Sequence, residues 1–302
     1  MTAEDIAPET SFLTGCPGTQ TAFFFAKEIE HRTAQGLQNT TFFAINAQGW
    51  TQYSLDVGWS CIAMATVKPT DGARTVVGIG ARGHWWEAQP ATAAQHTGQI
   101  TDLRYQLRCL RVIGTSFYAA GMDRMVQRRL GPGQWEPVGP HRPAKTEGIV
   151  GFEDIDGFGE DDLYAVGWQG EMWRCLAGQW SRIDSPVSTN LHAVCCASDG
   201  LVYAVGASGC MVKGRGEAWE IIKTGRDADF MDVSEHNGQI YVVTNFGIHK
   251  LDGGTLVVET DFAEGDRPRE CLFLERGPGV LLSIAPKDVF KQTGSGWTRI
   301  VW

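Results

Sequence analysis

The chain has 302 residues, a formal net charge of −9 and a pI near 5.3. That acidity argues against a nucleic-acid partner, which would need a basic face, and fits a protein kept apart from its own copies or one that meets a basic partner. No apolar run reaches the length of a membrane helix and the acidic start lacks a secretory pattern, so a cytosolic chain with reduced thiols is expected.

Gly at 37 residues and 11 Trp, in a chain 43% hydrophobic, favour strands joined by tight turns. In chain order, "TAFFFAKEIE" and "TTFFAINAQGWTQYSL" read as strands closed by Trp50, with "ETSFLTG" as a candidate strand before them. Then one hairpin recurs: "TVVGIGARGHWWEA" from Thr75, "FYAAGMDRMVQRRL" from Phe117, "LYAVGWQGEMWRCL" from Leu163, "VYAVGASGCMVKGR" from Val202, "IYVVTNFGIHKLDG" from Ile240 and "LLSIAPKDVFKQTG" from Leu281. Each copy is an apolar strand, a short loop of Gly or small residues, then an alternating strand. An apolar strand precedes each hairpin, and Cys61, Cys109, Asp154, Ala193, Met231 and Cys271 are read in one register. Trp86, Trp135, Trp180, Trp219 and Trp297 are read as closing residues, with Val257 or Val258 in that slot of the sixth unit.

A unit of four short strands every forty-odd residues is the period of propeller blades. A sheet this small cannot bury both faces alone, but stacked radially it buries them against its neighbours. The reading is all-β: a single seven-bladed β-propeller over 1–302, with blades at about 1–58, 59–102, 103–147, 148–188, 189–227, 228–264 and 265–302. Six blades plus an N-terminal appendage is the alternative. The Trp residues then wedge between blades. Cys61, Cys109 and Cys271 are small buried groups near the axis. No C-x-x-C pair exists among the 8 Cys, so neither metal nor any other cofactor is expected.

The Tyr-Ala-Val-Gly strand, loop, Met, and Trp after a Gly-rich turn resemble BNR-like and YVTN-like bacterial propellers and the propellers of photosystem II assembly factors. The resemblance covers about 59–302 and implies fold rather than activity. "SDGLVY" at Ser198 and "LDGGTL" at Leu251 lack the Asp-box spacing of the sialidase relatives, so that activity is not carried over. Lone acidic propellers of this kind also resemble some immunity proteins that neutralise bacterial toxins, and some assembly factors.

For chemistry, "GIGARG" (Gly78 to Gly83) sits in a hairpin turn with no helix after it, and no nucleophile elbow or H-E-x-x-H is present. His84, His192, His236 and His249 lie in separate units without metal spacing. "GFEDIDGFGEDD" is the one acidic cluster, with Glu153, Asp154 and Asp156 placed toward the channel. Paired carboxylates there suit a cation or an acid and base, and so a lyase or glycosidase; the plainer reading is turn residues and a wet channel mouth.

The preferred reading is a non-catalytic protein-binding propeller. The loops between second and third strands vary while their flanks repeat, as a binding surface on a rigid ring would. They carry Arg82 and His84, Asp123 and Arg124, Trp168 and Gln169, Ser208, Asn245 and Phe246, and Lys287 and Asp288. Trp168 is the sharpest candidate for an anchor, since its slot holds Ala81, Met122, Ala207 or Phe246 elsewhere. The resemblance and the charge together suggest an immunity protein, monomeric apart from its partner, that covers the active site of a basic toxin domain.

Overall fold

The computed structural model describes residues 9–54, 56–70, 72–101, 103–142, 148–263 and 266–301. Seven antiparallel sheets of four strands each follow one another, every sheet built from a continuous piece of chain. The blades run over 10–52, 61–99, 107–137, 152–182, 191–221, 232–258 and 273–301. The first unit is a full blade with Thr10–Pro17 as its inner strand, so neither an appendage nor a strand lent across the junction is needed.

The inner strands pack side by side around an axis. Thr10–Pro17 of blade 1 lies against Cys61–Val67 of blade 2 on one side and Phe273–Gly277 of blade 7 on the other, which closes the ring. The Phe12 N–H donates to the Pro286 carbonyl across this junction at 2.9 Å. The hydrophobic core is correspondingly divided: each cluster joins one blade to the next. Phe42, Met64, Val76 and Trp86 join blades 1 and 2, and Phe12, Phe25, Val280 and Leu282 join blades 1 and 7. Apolar burial between neighbours is therefore what holds the ring.

The closing tryptophans do wedge backwards. Trp180 Nε1 donates to the Val138 carbonyl of the preceding blade at 2.7 Å, Trp219 meets Tyr164 edge-on at 6.2 Å, and Trp297 meets Tyr241 at 5.6 Å. Trp86 is the exception: it lies on the third strand of its blade, His84–Gln89, stacked on Phe42 at 4.1 Å.

The repeated glycine after Tyr-Ala-Val has a steric cause. A Cβ on Gly167 would stand 1.8 Å from the Gly151 carbonyl oxygen, and one on Gly206 would stand 2.0 Å from that of Asn190. The chain entering each blade passes too close for any side chain.

One expected register needs correction. Inner strands of blades 1 to 5 carry a one-residue bulge near their start, as between Cys61 and Ala63 or between Phe152 and Asp154. A bulge advances every later residue by one. The true layer is Ala63, Cys109, Asp154, Ala193 and Asp232, each opposite the residue before the end of the second strand, with Phe273 opposite Ile284, the last residue of its own. Cys61, Met231 and Cys271 fall outside it.

Candidate functional site on the loop face

Two of the three acids on the inner strand of blade 4, Asp154 and Asp156, turn inward to the axis and are fully engaged. Asp154 accepts from Arg111 Nε at 2.9 Å and Nη2 at 3.0 Å, and from the Val194 N–H of the next blade at 3.1 Å. Asp156 accepts from Arg276 Nη2 at 2.7 Å and from the Cys196 N–H at 2.8 Å. Asp232 repeats the device, accepting from the Leu274 N–H at 2.8 Å. Each carboxylate thus clasps the inner strand of the following blade. Sequence reasoning missed Arg111, Asp232, Glu275 and Arg276; aligning the inner strands with their bulges in place would have put Asp232 beside Asp154.

Arg111 also faces Glu275 at 3.3 Å and Asp232 at 3.6 Å. Burial pushes the Glu275 carboxyl up to about 8, with Asp232 and Asp154 adding to the rise against the pull of Arg111 and Arg276. Burial likewise raises Asp232 to about 6. One cation cannot hold three buried anions, so the least well served carboxyl keeps its proton. Arg111 and Glu275 line both axial cavities, one of about 200 Å³ and one of about 270 Å³. No group of three or more His, Cys, Asp or Glu able to hold a metal occurs among the described residues. The buried thiols are suppressed too: burial lifts Cys195 to about 12, far from a reactive thiolate.

The loops between second and third strands share a face with the connections between blades: the Trp168 N–H donates to the Gly151 carbonyl and the Ala207 N–H to that of Asn190. On this face the candidate residues divide. Arg82, Gln169, Asn245 and Ser208 are exposed, Trp168 is half-buried, and Phe246 is 84% exposed. Trp168 Nε1 donates to Glu153, which also faces Arg108 at 3.4 Å.

Four candidates have partners within the ring. Arg124 is buried at 5%, paired with buried Glu171 at 2.5 Å and lying over the Trp173 ring at 4.9 Å. Asp288 is buried, accepting from Arg299 and from the Arg269 N–H at 2.8 Å. His84 stacks on Trp59 at 5.8 Å. Lys287 is exposed but tied across the ring junction to Glu30 and to the Thr10 carbonyl at 2.9 Å. Asp123 is partly covered and faces Arg142 at 3.1 Å.

Sequence reasoning also missed three exposed apolar side chains on this face: Leu37 at 50%, Tyr105 at 51% and Ile149 at 65%. They sit in the blade 1 loop and in two connections between blades. Their signal was a large apolar residue in a polar loop with no strand pattern to recruit it inward.

Among the described residues no helix is long and apolar enough to cross a membrane. No protein-family model matches the chain. Over 200 residues it is 42% identical to the Immune protein Tsi7 of Pseudomonas aeruginosa, a match spanning 65% of this chain and 65% of that protein. Among solved structures it is similar to YCF48 bound to D1 peptide, with a TM-score of 0.53 and 13% identity over 75% of this chain and 77% of that one. It is also similar to the computationally designed Ika8 protein, with a TM-score of 0.58 and 8% identity over 96% and 86%. At these identities the two structures bear on the fold alone.

Proposed function

We propose that this chain is an immunity protein: a non-catalytic, cytoplasmic propeller, monomeric until it meets its partner, that binds a bacterial toxin through its loop face and covers the toxin's active site. The observation that carries the reading is the 42% identity to a protein named as an immune protein. The loop face supports it, because a rigid ring presents exposed Phe246, Ile149, Tyr105 and Leu37 there with no intramolecular role to explain them. The axial carboxylates support the absence of catalysis, since arginines and backbone N–H groups occupy them. The likeness to BNR-like and YVTN-like propellers belongs to the same proposal.

The test is co-expression with any toxin gene found beside this one. Growth should be restored, and the two proteins should elute together in size-exclusion chromatography. Protection without a stable complex would replace binding with an enzymatic role. No protection against any neighbouring toxin would end the immunity reading.

A further inference from the structure

The acidic chain carries one basic district. Residues 99–142 hold seven Arg against Asp102, Asp123 and Glu136, the reverse of the overall charge of −9. Arg111, Arg124 and Arg129 are spent inside the ring on Asp154, Glu171 and Glu87. Arg108 and Arg128 pair with Glu153 and Glu136, which leaves Arg104 and Arg142; with Arg82 they lie outward, on the rim where blade 2 meets blade 3. Among the described residues neither Arg82 nor Arg104 pairs with a carboxylate, and Arg142 has only Asp123.

These arginines border a groove. One cavity of about 570 Å³ lies between the outer strand of blade 2 and the third and fourth strands of blade 3. A second, of about 470 Å³, continues it onto the loop face, and Gln99 and Arg104 line both. Trp135, Pro137 and Pro140 give the first cavity apolar surface, Asp123 lines it beside Arg142, and Tyr105 stands 51% exposed at the loop-face end. Apolar side chains between these arginines, two of which have no carboxylate partner among the described residues, suit an extended chain whose side chains alternate apolar and acidic. It suits a nucleic acid poorly, because a polyanion would also meet the surrounding net negative charge.

We infer that the groove between blades 2 and 3 docks an acidic, extended segment of a partner protein, steered by Arg82, Arg104 and Arg142. This deepens the immunity reading and rests on it in naming a toxin as the owner of the segment. It also reverses the expected sense of the charge match at this place: here the propeller supplies the cations.

The experiment uses the full chain, its Arg82→Glu/Arg104→Glu variant, and three probes: a fluorescent glutamate-rich peptide containing tyrosine and leucine, a single-stranded oligothymidylate, and the neighbouring toxin. Both substituted residues are exposed, so thermal melting should not change. The peptide should bind the parent chain with an affinity that weakens as salt rises, and the variant should bind about tenfold or more weakly. The toxin should lose a similar factor. No peptide binding to the parent, equal binding to the variant, or tighter binding of oligothymidylate would overturn the groove. Peptide binding without toxin binding leaves the groove standing and removes the immunity reading. Toxin binding untouched by the double substitution does the opposite.

Discussion

Blades 4 and 5 write nearly the same hairpin, "LYAVGWQGEMWRCL" and "VYAVGASGCMVKGR", and fold it into the same turn. Gln169 and Ser208 both take left-handed backbone, at φ 59° and 55°. Their N–H groups are received by Asn190 at 2.9 Å and Asp229 at 2.8 Å, side chains of the next blade connection. The differences fall just beside this shared frame. Trp168 stands where blade 5 has Ala207, Glu171 where it has Cys210, and on the inner strand Asp154 and Asp156 where it has Ala193 and Cys195. What repeats is what the backbone requires. What differs is decided by a neighbouring blade or by something outside the ring.

The largest break in the comparison should come from Glu171 and Cys210. Glu171 carries the buried Arg124 and also accepts from Trp173 Nε1 at 3.0 Å, while Cys210 holds no charge. Glu171→Ala should lower stability by about 3–5 kcal/mol, because it takes the carboxylate from a buried ion pair. Cys210→Ala should lower it by about 1 kcal/mol, the usual effect of a modest truncation. Denaturant midpoints for the two variants measure the gap; equal losses would show that the blade 3 to blade 4 pair is not what separates them.

Next come the glycines, where the blades should behave alike. Gly170 and Gly209 have φ of 71° and 67°, and a Cβ would meet the Val187 oxygen at 2.0 Å or the Arg226 oxygen at 1.8 Å. Strain and clash together predict a loss of about 2–4 kcal/mol for Ala at either position. A large loss in one blade alone would mean that the two turns are not the same structural object.

The axis gives a smaller, pH-dependent effect. With its folded pKa near 8, raised mainly by burial, Glu275 takes up a proton on folding. Its contribution is complete below the ordinary glutamate range and is lost as pH rises toward 8. Thermal stability should therefore fall between about pH 5 and 8 in the parent, and Glu275→Gln should flatten that slope, raising the melting temperature at pH 8 by a few degrees. An unchanged slope would show that Arg111 holds Glu275 ionised throughout.

The sequence disclosed the ring because its constraints are local and recur. A glycine that must pass a carbonyl, a tyrosine on the second strand of blades 3 to 6 and a tryptophan reaching back one blade leave marks at a recurring spacing. The bulge left none: it adds one residue without a change in composition, and so hid the kinship of Asp154 with Asp232. Exposure was hidden for a different reason. Arg82 and Arg124 occupy similar loops, yet Arg124 is drawn inside by Glu171, 47 residues away, and no local pattern announces that partner. The basic groove escaped notice because a net charge of −9 averages over it.

The smallest expected effect on stability is the one that bears most on function. Ala207 shows that the turn does not need a tryptophan, so Trp168→Ala removes little beyond its hydrogen bond to partly buried Glu153 and should cost about 0.5–1 kcal/mol. If the loop face meets the toxin through blade 4, the same variant should weaken the complex by about 2 kcal/mol or roughly 30-fold, the scale of an aromatic anchor. Titration of both variants against the toxin sets Trp168→Ala beside Ala207→Trp. An anchor is specific to its place, so a second tryptophan in blade 5 should not restore affinity lost in blade 4. A Trp168→Ala variant that binds as tightly as the parent would assign that side chain to its own blade and move the interface toward the arginine groove.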